Sequence, residues 1–376
     1  MVDRPLSALN LYPLARPFLF SLPAEVAHNV TFAAARVAHA LNLRGSGQAY
    51  QVAAPALEQT LWGIPFANPI GLAAGMDKNA VLLPEWERIG FGHVEVGSVT
   101  RNPSKGNARP RLFRLQRDRA IVNRMGLNNK GADRLVTRLS KQVCHVPISI
   151  SIAKSHDPAI LGADGIVDVA ETFRMVAPHA DIITLNVSCP NTAEGKTFED
   201  AWMLDQLLRA VGHERAQLAR DVPVLVKISP PSLPNVVFDS QLDEVLAVCT
   251  AHGIDGIVAI NTSNDRHGVS ASKRRLAKIG KGGLSGQPLR NRTLETVRYL
   301  YERTRGSLPI IAVGGIDNES AAYEMILNGA SMVQVYTGLV YQGPHLVRHL
   351  KLGLARLVEQ DGYRSITEAV GAAHRT

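Results

Sequence analysis

The sequence predicts an α/β fold, a (β/α)8 TIM barrel carrying a small N-terminal helical module. Three observations predict it. Eight short, β-branched apolar runs recur from about residue 70 onward, most of them followed at once by Gly, Ser or Asn. The segments between them carry apolar residues at helical spacing, as Leu204 to Leu218 does, which is the pattern of parallel strands joined by helical crossovers. Asn186, Lys227, Asn261 and Gly314 sit where runs end, and a closed barrel gathers such ends on one face.

In chain order, residues 1–44 form the module, with prolines at 5, 13, 17 and 23 among apolar residues. Pro23 suits the first turn of a helix. Beyond it Val26, Val30, Ala33, Val37 and Leu41 recur at three and four residues as one apolar stripe, while Arg36, His39 and Asn42 lie off it. The stripe is read either as a face packed on the barrel or as a face open to lipid. Residues 45–56, with Gly45, Ser46 and Gly47, read as a linker, and 57–376 as the barrel. Its strands are expected at Ile70 to Ala74, His93 to Val96, Ile148 to Ile152, Ile182 to Asn186, Val224 to Ile228, Gly256 to Ile260, Ile310 to Val313 and Met332 to Val335.

Composition excludes several classes. With 45% hydrophobic and 20% charged residues among 376, and 31 Gly without period, collagen, coiled coil and wholesale disorder are out. Three scattered cysteines, Cys144, Cys189 and Cys249, make neither a disulfide framework nor a metal site, and suit a reducing compartment. The net charge of +8 favours an acidic small substrate, phosphate or anionic lipid. No run of eighteen apolar residues and no cleavable signal is evident, so the chain is expected to be neither secreted nor membrane-spanning.

The densest chemical signal is LNVSCPN, Leu185 to Asn191, where a strand end delivers Asn186, Cys189 and Asn191 to a Pro-fixed turn. Two amides flanking a thiol suit a planar, hydrogen-bonding ring substrate. AAGMDKN at Ala73 to Asn79 presents Lys78, and another strand end presents Lys227. Two lysines in one barrel mouth repel each other unless an anion sits with them, such as a substrate carboxylate or a flavin ring. GKGGLSG (Gly280 to Gly286) and AVGGID (Ala312 to Asp317) place glycines in the loops after the sixth and seventh strands, where many barrels cradle phosphate.

Taken in order, AAGMDKN, VEVGSVT, RPRLFRL, NRMGLNN, LNVSCPN, NTSNDR, GGLSG, VGGID and QVYTGLVYQGP resemble the dihydroorotate dehydrogenases over essentially the whole chain. RPFLFSLPAEVAHNVTF resembles the helical module of the membrane-associated, quinone-reducing branch. The resemblance implies bound FMN and oxidation of (S)-dihydroorotate to orotate in pyrimidine biosynthesis. It also implies ubiquinone or menaquinone as acceptor, peripheral attachment to the cytoplasmic face of a bacterial membrane, and no nucleic-acid partner. By position Cys189 is the catalytic base. Lys78, Asn123, Asn186, Asn191, Asn261 and Thr262 match substrate-holding positions, with Arg124, Met125, Gly126 and Leu127 beside Asn123. Ala74, Gly75, Met76, Asp77, Lys78, Ser98, Asn186 and Lys227 match the flavin site, as do Gly286, Gly315, Tyr336 and Thr337. His28 and Arg114 match the quinone tunnel.

The chain departs from the pattern at four points. Cys189 stands where the quinone-reducing branch usually has Ser, and a thiol, with its reference pKa near 8.5, is the more accessible base. Ser151 replaces a flavin-contacting Asn, Ile260 replaces a Thr, and Glu194 enters the active-site loop. Two alternatives follow: an FMN barrel acting on another dihydropyrimidine or a dihydrouridine-type substrate, and a flavin-free membrane-associated binding protein.

Overall fold

The computed structural model describes residues 10–41, 50, 52–188, 197–231 and 240–375. All eight predicted runs are strands of one closed parallel barrel: Ile70–Leu72, His93–Val99, Ile148–Ile152, Ile182–Asn186, Val224–Ile228, Gly256–Ala259, Ile310–Val313 and Met332–Val335. They pair in chain order, and the eighth closes on the first with Val333 opposite Ile70. Near-continuous apolar runs result because both faces are covered. Ile182, Leu225, Val258, Ile311 and Met332 form one apolar cluster with Phe66. Their chain neighbours Ile183, Val226, Ile257, Ile310 and Val333 join a larger cluster with Phe173, Leu204 and Val297 of the surrounding helices.

A hairpin the sequence reading did not foresee, Gln59–Leu61 and Ile64–Phe66, covers the end of the barrel at which the strands begin. Its turn residues Trp62 (φ 54°) and Gly63 (φ 73°) are both left-handed, as a two-residue hairpin turn demands. The Trp62 indole donates to the carbonyl of Asp255 at 2.8 Å. Farther along, His93, Glu95 and Gln334 are all buried, and the Gln334 amide donates to the Glu95 carboxylate at 2.5 Å. A Cβ on Gly71 would stand 2.0 Å from the His93 ring, so only glycine leaves that ring its place.

Two helices precede the barrel, α1 (Tyr12–Ser21) and α2 (Ala24–Ala40). Pro23 caps α2 from just outside rather than entering its first turn, with its fixed φ setting the entry angle. The apolar stripe is the outward face: Val26, Val30, Val37 and Leu41 are 43 to 63% exposed. Contact with the rest of the molecule uses the opposite side, where Ala27 is buried and Phe32 stacks near Trp86 with centroids 5.9 Å apart. The end of the expected module, 42–44, and residues 45–49 and 51 of the expected linker lie outside the described residues.

A separate antiparallel sheet stands beside the barrel, in the order Gly283–Gly286, Ala120–Asn123, Leu112–Leu115. Its first strand corrects the reading of GGLSG as loop. The run has no strand period of its own, and its partner comes from 160 residues upstream, with Gly283 opposite Asn123. Glycine is needed there because a Cβ on Gly283 would stand 1.9 Å from the Thr262 hydroxyl.

Candidate active site

The barrel strands deliver their C-terminal ends to one cavity, whose empty space of about 1260 Å³ includes open solvent beyond its mouth. Most of the predicted residues meet there. Ala74, Gly75, Lys78, Ser98, Asn123, Met125, Gly126, Leu127, Asn186 and Lys227 line it, as do Ile260, Asn261, Thr262, Gly286, Gly315, Tyr336 and Thr337. Cys189, Asn191 and Glu194 lie outside the described residues.

The amides form a connected network. Asn261 donates to the Asn186 side-chain carbonyl at 3.1 Å and to the Ser188 hydroxyl at 2.9 Å, while Asn186 donates to the Ser98 hydroxyl at 2.8 Å. Ser188 donates in turn to the backbone carbonyl of Lys227 at 2.7 Å. With their rotamers pinned this way, the two asparagines present fixed acceptors and donors. Among the described residues, fully buried Ser151 meets the network through Ser98, hydroxyl to hydroxyl at 2.8 Å. It is therefore off the cavity wall.

Lys78 donates to the Gly75 carbonyl at 2.8 Å. Burial, aided by the charge of Arg111, draws its ammonium down to about 8 against the opposing pull of Asp77 and Glu25. Arg111 is itself buried and ion-paired to Glu25 of α2 at 2.7 Å. The two lysines predicted to share the mouth thus do so, in a site whose unpaired charge is positive and suited to an anion.

Three further predicted residues are corrected in position. Met76 is packed in the core. The Asp77 carboxylate accepts from the backbone N–H groups of Val81 and Leu82 at 2.8 and 2.7 Å and from the Trp86 indole at 3.1 Å. It fixes the chain after Lys78 and faces away from the cavity lining. Arg124 ties the hairpin to the sheet's outer edge, donating to the carbonyls of Pro110 at 3.0 Å and of Ile279, with its guanidinium 5.0 Å from the Phe113 ring.

His28 and Arg114 both lie where the module meets the barrel. His28 stacks on Phe32 with centroids 4.2 Å apart, and burial, with the charge of Lys78, holds its imidazole down to about 4. Arg114 donates to the carbonyls of Leu19 and Leu22, its guanidinium 4.6 Å from the Phe20 ring. Of the two other cysteines, burial pushes Cys144 up to about 11 and Cys249 up to about 12, so neither supplies a thiolate near neutral pH.

The glycines build another stretch of wall. Gly286, Gly314 and Gly315 have φ of 101°, 137° and 73°. A Cβ on Gly315 would stand 2.5 Å from the backbone of Arg290, and one on Gly286 2.3 Å from the Arg119 carbonyl oxygen. Such a wall lets an anionic group approach backbone N–H groups closely. Sequence reasoning missed Arg119, Gln287 and Asp317 here. Asp317 closes the quoted VGGID motif, but Arg119 belongs to no motif and reaches the site only through a hairpin turn.

A family model described as dihydroorotate dehydrogenase matches residues 56–358. The chain is 42% identical to the dihydroorotate dehydrogenase (quinone) of Nocardia farcinica over 97% of this chain and 98% of that one. It is 41% identical to that of Gloeobacter violaceus over 97% and 99%. The solved ligand-free DHODH structure from Eimeria tenella superposes with a TM-score of 0.84 at 31% identity, covering 94% of this chain and 100% of that one.

Proposed function

The chain belongs to the dihydroorotate dehydrogenase family, and from that premise we propose how its cavity performs the reaction and which residues carry it. The protein oxidises dihydroorotate to orotate with a quinone as electron acceptor, by way of a flavin. The observation that carries the assignment to this cavity is the convergence of Lys78, Lys227 and the hydrogen-bonded Asn186–Asn261 pair on one glycine-walled space.

The flavin is FMN. The residues fit it: Gly286, Gly315 and Thr337 leave room for a phosphate, and Lys227 supplies a cation for the polar edge of the ring. When bound, FMN would supply the acceptor for the hydride that leaves C6 of dihydroorotate and the route by which that electron pair reaches quinone. Lys78 holds the substrate carboxylate. Asn123, Asn186, Asn191 and Asn261 pair with the pyrimidine edge, with Thr262 and the Met125 to Leu127 segment closing over it. Cys189, as its thiolate, would take the proton from C5, made acidic by the adjacent C4 carbonyl, and become the thiol as the hydride leaves C6.

Residues 1–44 form a peripheral membrane and quinone module on the cytoplasmic face of the membrane. Leu11, Leu14 and Phe18 of the α1 region join Val26, Val30 and Val37 as exposed large apolar side chains, a face suited to the headgroup boundary. Among the described residues no helix is long and apolar enough to cross a membrane. Quinone enters between the module and the barrel, past His28 and Arg114.

Anaerobic titration tests the whole reading. The FMN-loaded protein should bleach with one equivalent of dihydroorotate and recolour with quinone. A flavin that dihydroorotate leaves oxidised would overturn it. Deleting residues 1–44 should abolish quinone reduction and liposome binding while a water-soluble dye still reoxidises the flavin.

A further inference from the structure

We propose that Arg119, at the turn of the antiparallel hairpin, is the cation that recognises the cofactor's phosphate and so selects the phosphorylated flavin over the unphosphorylated one. This rests on the FMN reading above and adds a residue to it.

Arg119 is the last residue of the turn between Leu112–Leu115 and Ala120–Asn123, and its backbone is left-handed, with φ 44°. A non-glycine residue is uncommon in that region, and such residues collect at ligand clamps. Here the conformation has an evident use. The Arg119 carbonyl accepts from Gln287 N at 3.4 Å and backs directly on Gly286, while the side chain lines the cavity with Gln287, Gly315, Asp317 and Thr337. The hairpin therefore carries one guanidinium into the glycine wall from outside the barrel.

That guanidinium is loosely held. Its contact is with Asp317 at 3.6 Å, and its side chain is 42% exposed. Asp317 is already served by others: Arg290 makes a closer ion pair with it, and the amides of Gln287 and Asn318 donate at 2.8 and 3.1 Å. Two guanidiniums against one carboxylate leave one net positive charge beside the glycines. Arg290 is the fixed partner, because it also donates to the Gly315 carbonyl at 3.0 Å. Arg119 is the one that can turn to a phosphate, and a guanidinium meets phosphate oxygens in a bidentate fork that no amide reproduces. The pair with Asp317 keeps it aimed across the cavity until then.

The test uses the full-length apoprotein, titrated with FMN and with riboflavin while flavin fluorescence is followed. The parent should bind FMN far more tightly than riboflavin. Arg119→Gln should weaken FMN by about 10- to 100-fold, the range for a lost charge-assisted hydrogen bond, and leave riboflavin unchanged. Arg119→Lys should recover part of the loss, and raised salt should narrow the gap between parent and Gln variant. Equal weakening of both flavins would make Arg119 a structural residue of the turn and overturn the proposal, as would an FMN affinity equal to the parent's. A parent apoprotein that binds neither flavin would instead sink the cofactor reading on which this rests.

Discussion

Replacing Lys78 separates the carboxylate-binding role from every other role in the cavity. Its ammonium sits near 8, so the free site is positively charged below that pH and loses its charge above it. A carboxylate binds the protonated form, so the dissociation constant of orotate should be flat from pH 6 to 7.5. It should then rise with the factor 1 + 10^(pH−8), about elevenfold at pH 9. The direction follows from the depression: bringing an anion beside Lys78 pulls its proton affinity back up, and binding takes up a proton above pH 8. Lys78→Met keeps the length of the stem and removes the charge. It should weaken orotate by about 10- to 150-fold at pH 7, equivalent to about 1.5–3 kcal/mol for a hydrogen bond to a charged group, and flatten the pH profile. The assay is the perturbation of the flavin absorbance by orotate, which involves no turnover. An orotate affinity in the parent that stays constant from pH 7 to 9, or a Met variant that binds like the parent, would refute the reasoning.

Three other outcomes follow from the same geometry. Lys227→Met should lose FMN on gel filtration where Lys78→Met retains it, since the pinned Asn186–Ser188–Lys227 cluster presents that ammonium to the ring; equal retention would reverse the two roles. Cys189→Ala should keep its flavin yet slow reduction by dihydroorotate at least about a hundredfold in stopped flow, and Cys189→Ser should recover only at higher pH; reduction at the parental rate would mean that another base acts. Asp77→Ala strands two backbone N–H groups and an indole N–H, a loss of about 3 kcal/mol, and should lower the midpoint of thermal unfolding by roughly 4–5 °C in a chain of this length; an unchanged midpoint in calorimetry would refute the structural role of Asp77.

The barrel was legible because strands covered on both faces are mostly apolar, and such runs stand out against amphipathic helices. Strands outside the barrel were not. Leu112–Leu115 is short, with Arg111 before it and Arg114 within it, and Gly283–Gly286 acquires strand geometry only from a hairpin far upstream in the chain. The site divides along the same line. Lys78, Lys227, Asn186 and Asn261 could be read because they lie in the barrel strands or within a few residues of their ends. Arg119 could not, because its place in the cavity depends on how that outlying hairpin docks. Asp77 was misread for a related reason: within AAGMDKN its carboxylate looks as available as the Lys78 ammonium, and only the fold shows it turned back onto Val81, Leu82 and Trp86. The stripe Val26, Val30, Ala33, Val37 was read correctly as a stripe, but periodicity alone does not say whether such a face turns inward or outward.

The ion pair between Glu25 and Arg111 bears on how any shortened form of this enzyme should be interpreted. Burial pushes the Glu25 carboxyl up, and Arg111 with Arg109 outweighs it, so the carboxylate is held below its usual range and stays ionised. Glu25 belongs to the module, yet its charge is among those that keep Lys78 protonated. Cutting the chain at residue 44 thus does more than remove the proposed membrane module: it strips the counter-ion from a buried arginine and leaves Asp77 to oppose that arginine's pull on Lys78 without Glu25. The loss of Glu25's charge taken by itself should make orotate begin to leave at lower pH, even in detergent-free buffer with no quinone present. A Glu25→Gln chain of full length is the matched control, since it reproduces the electrostatic loss while leaving the apolar helices in place.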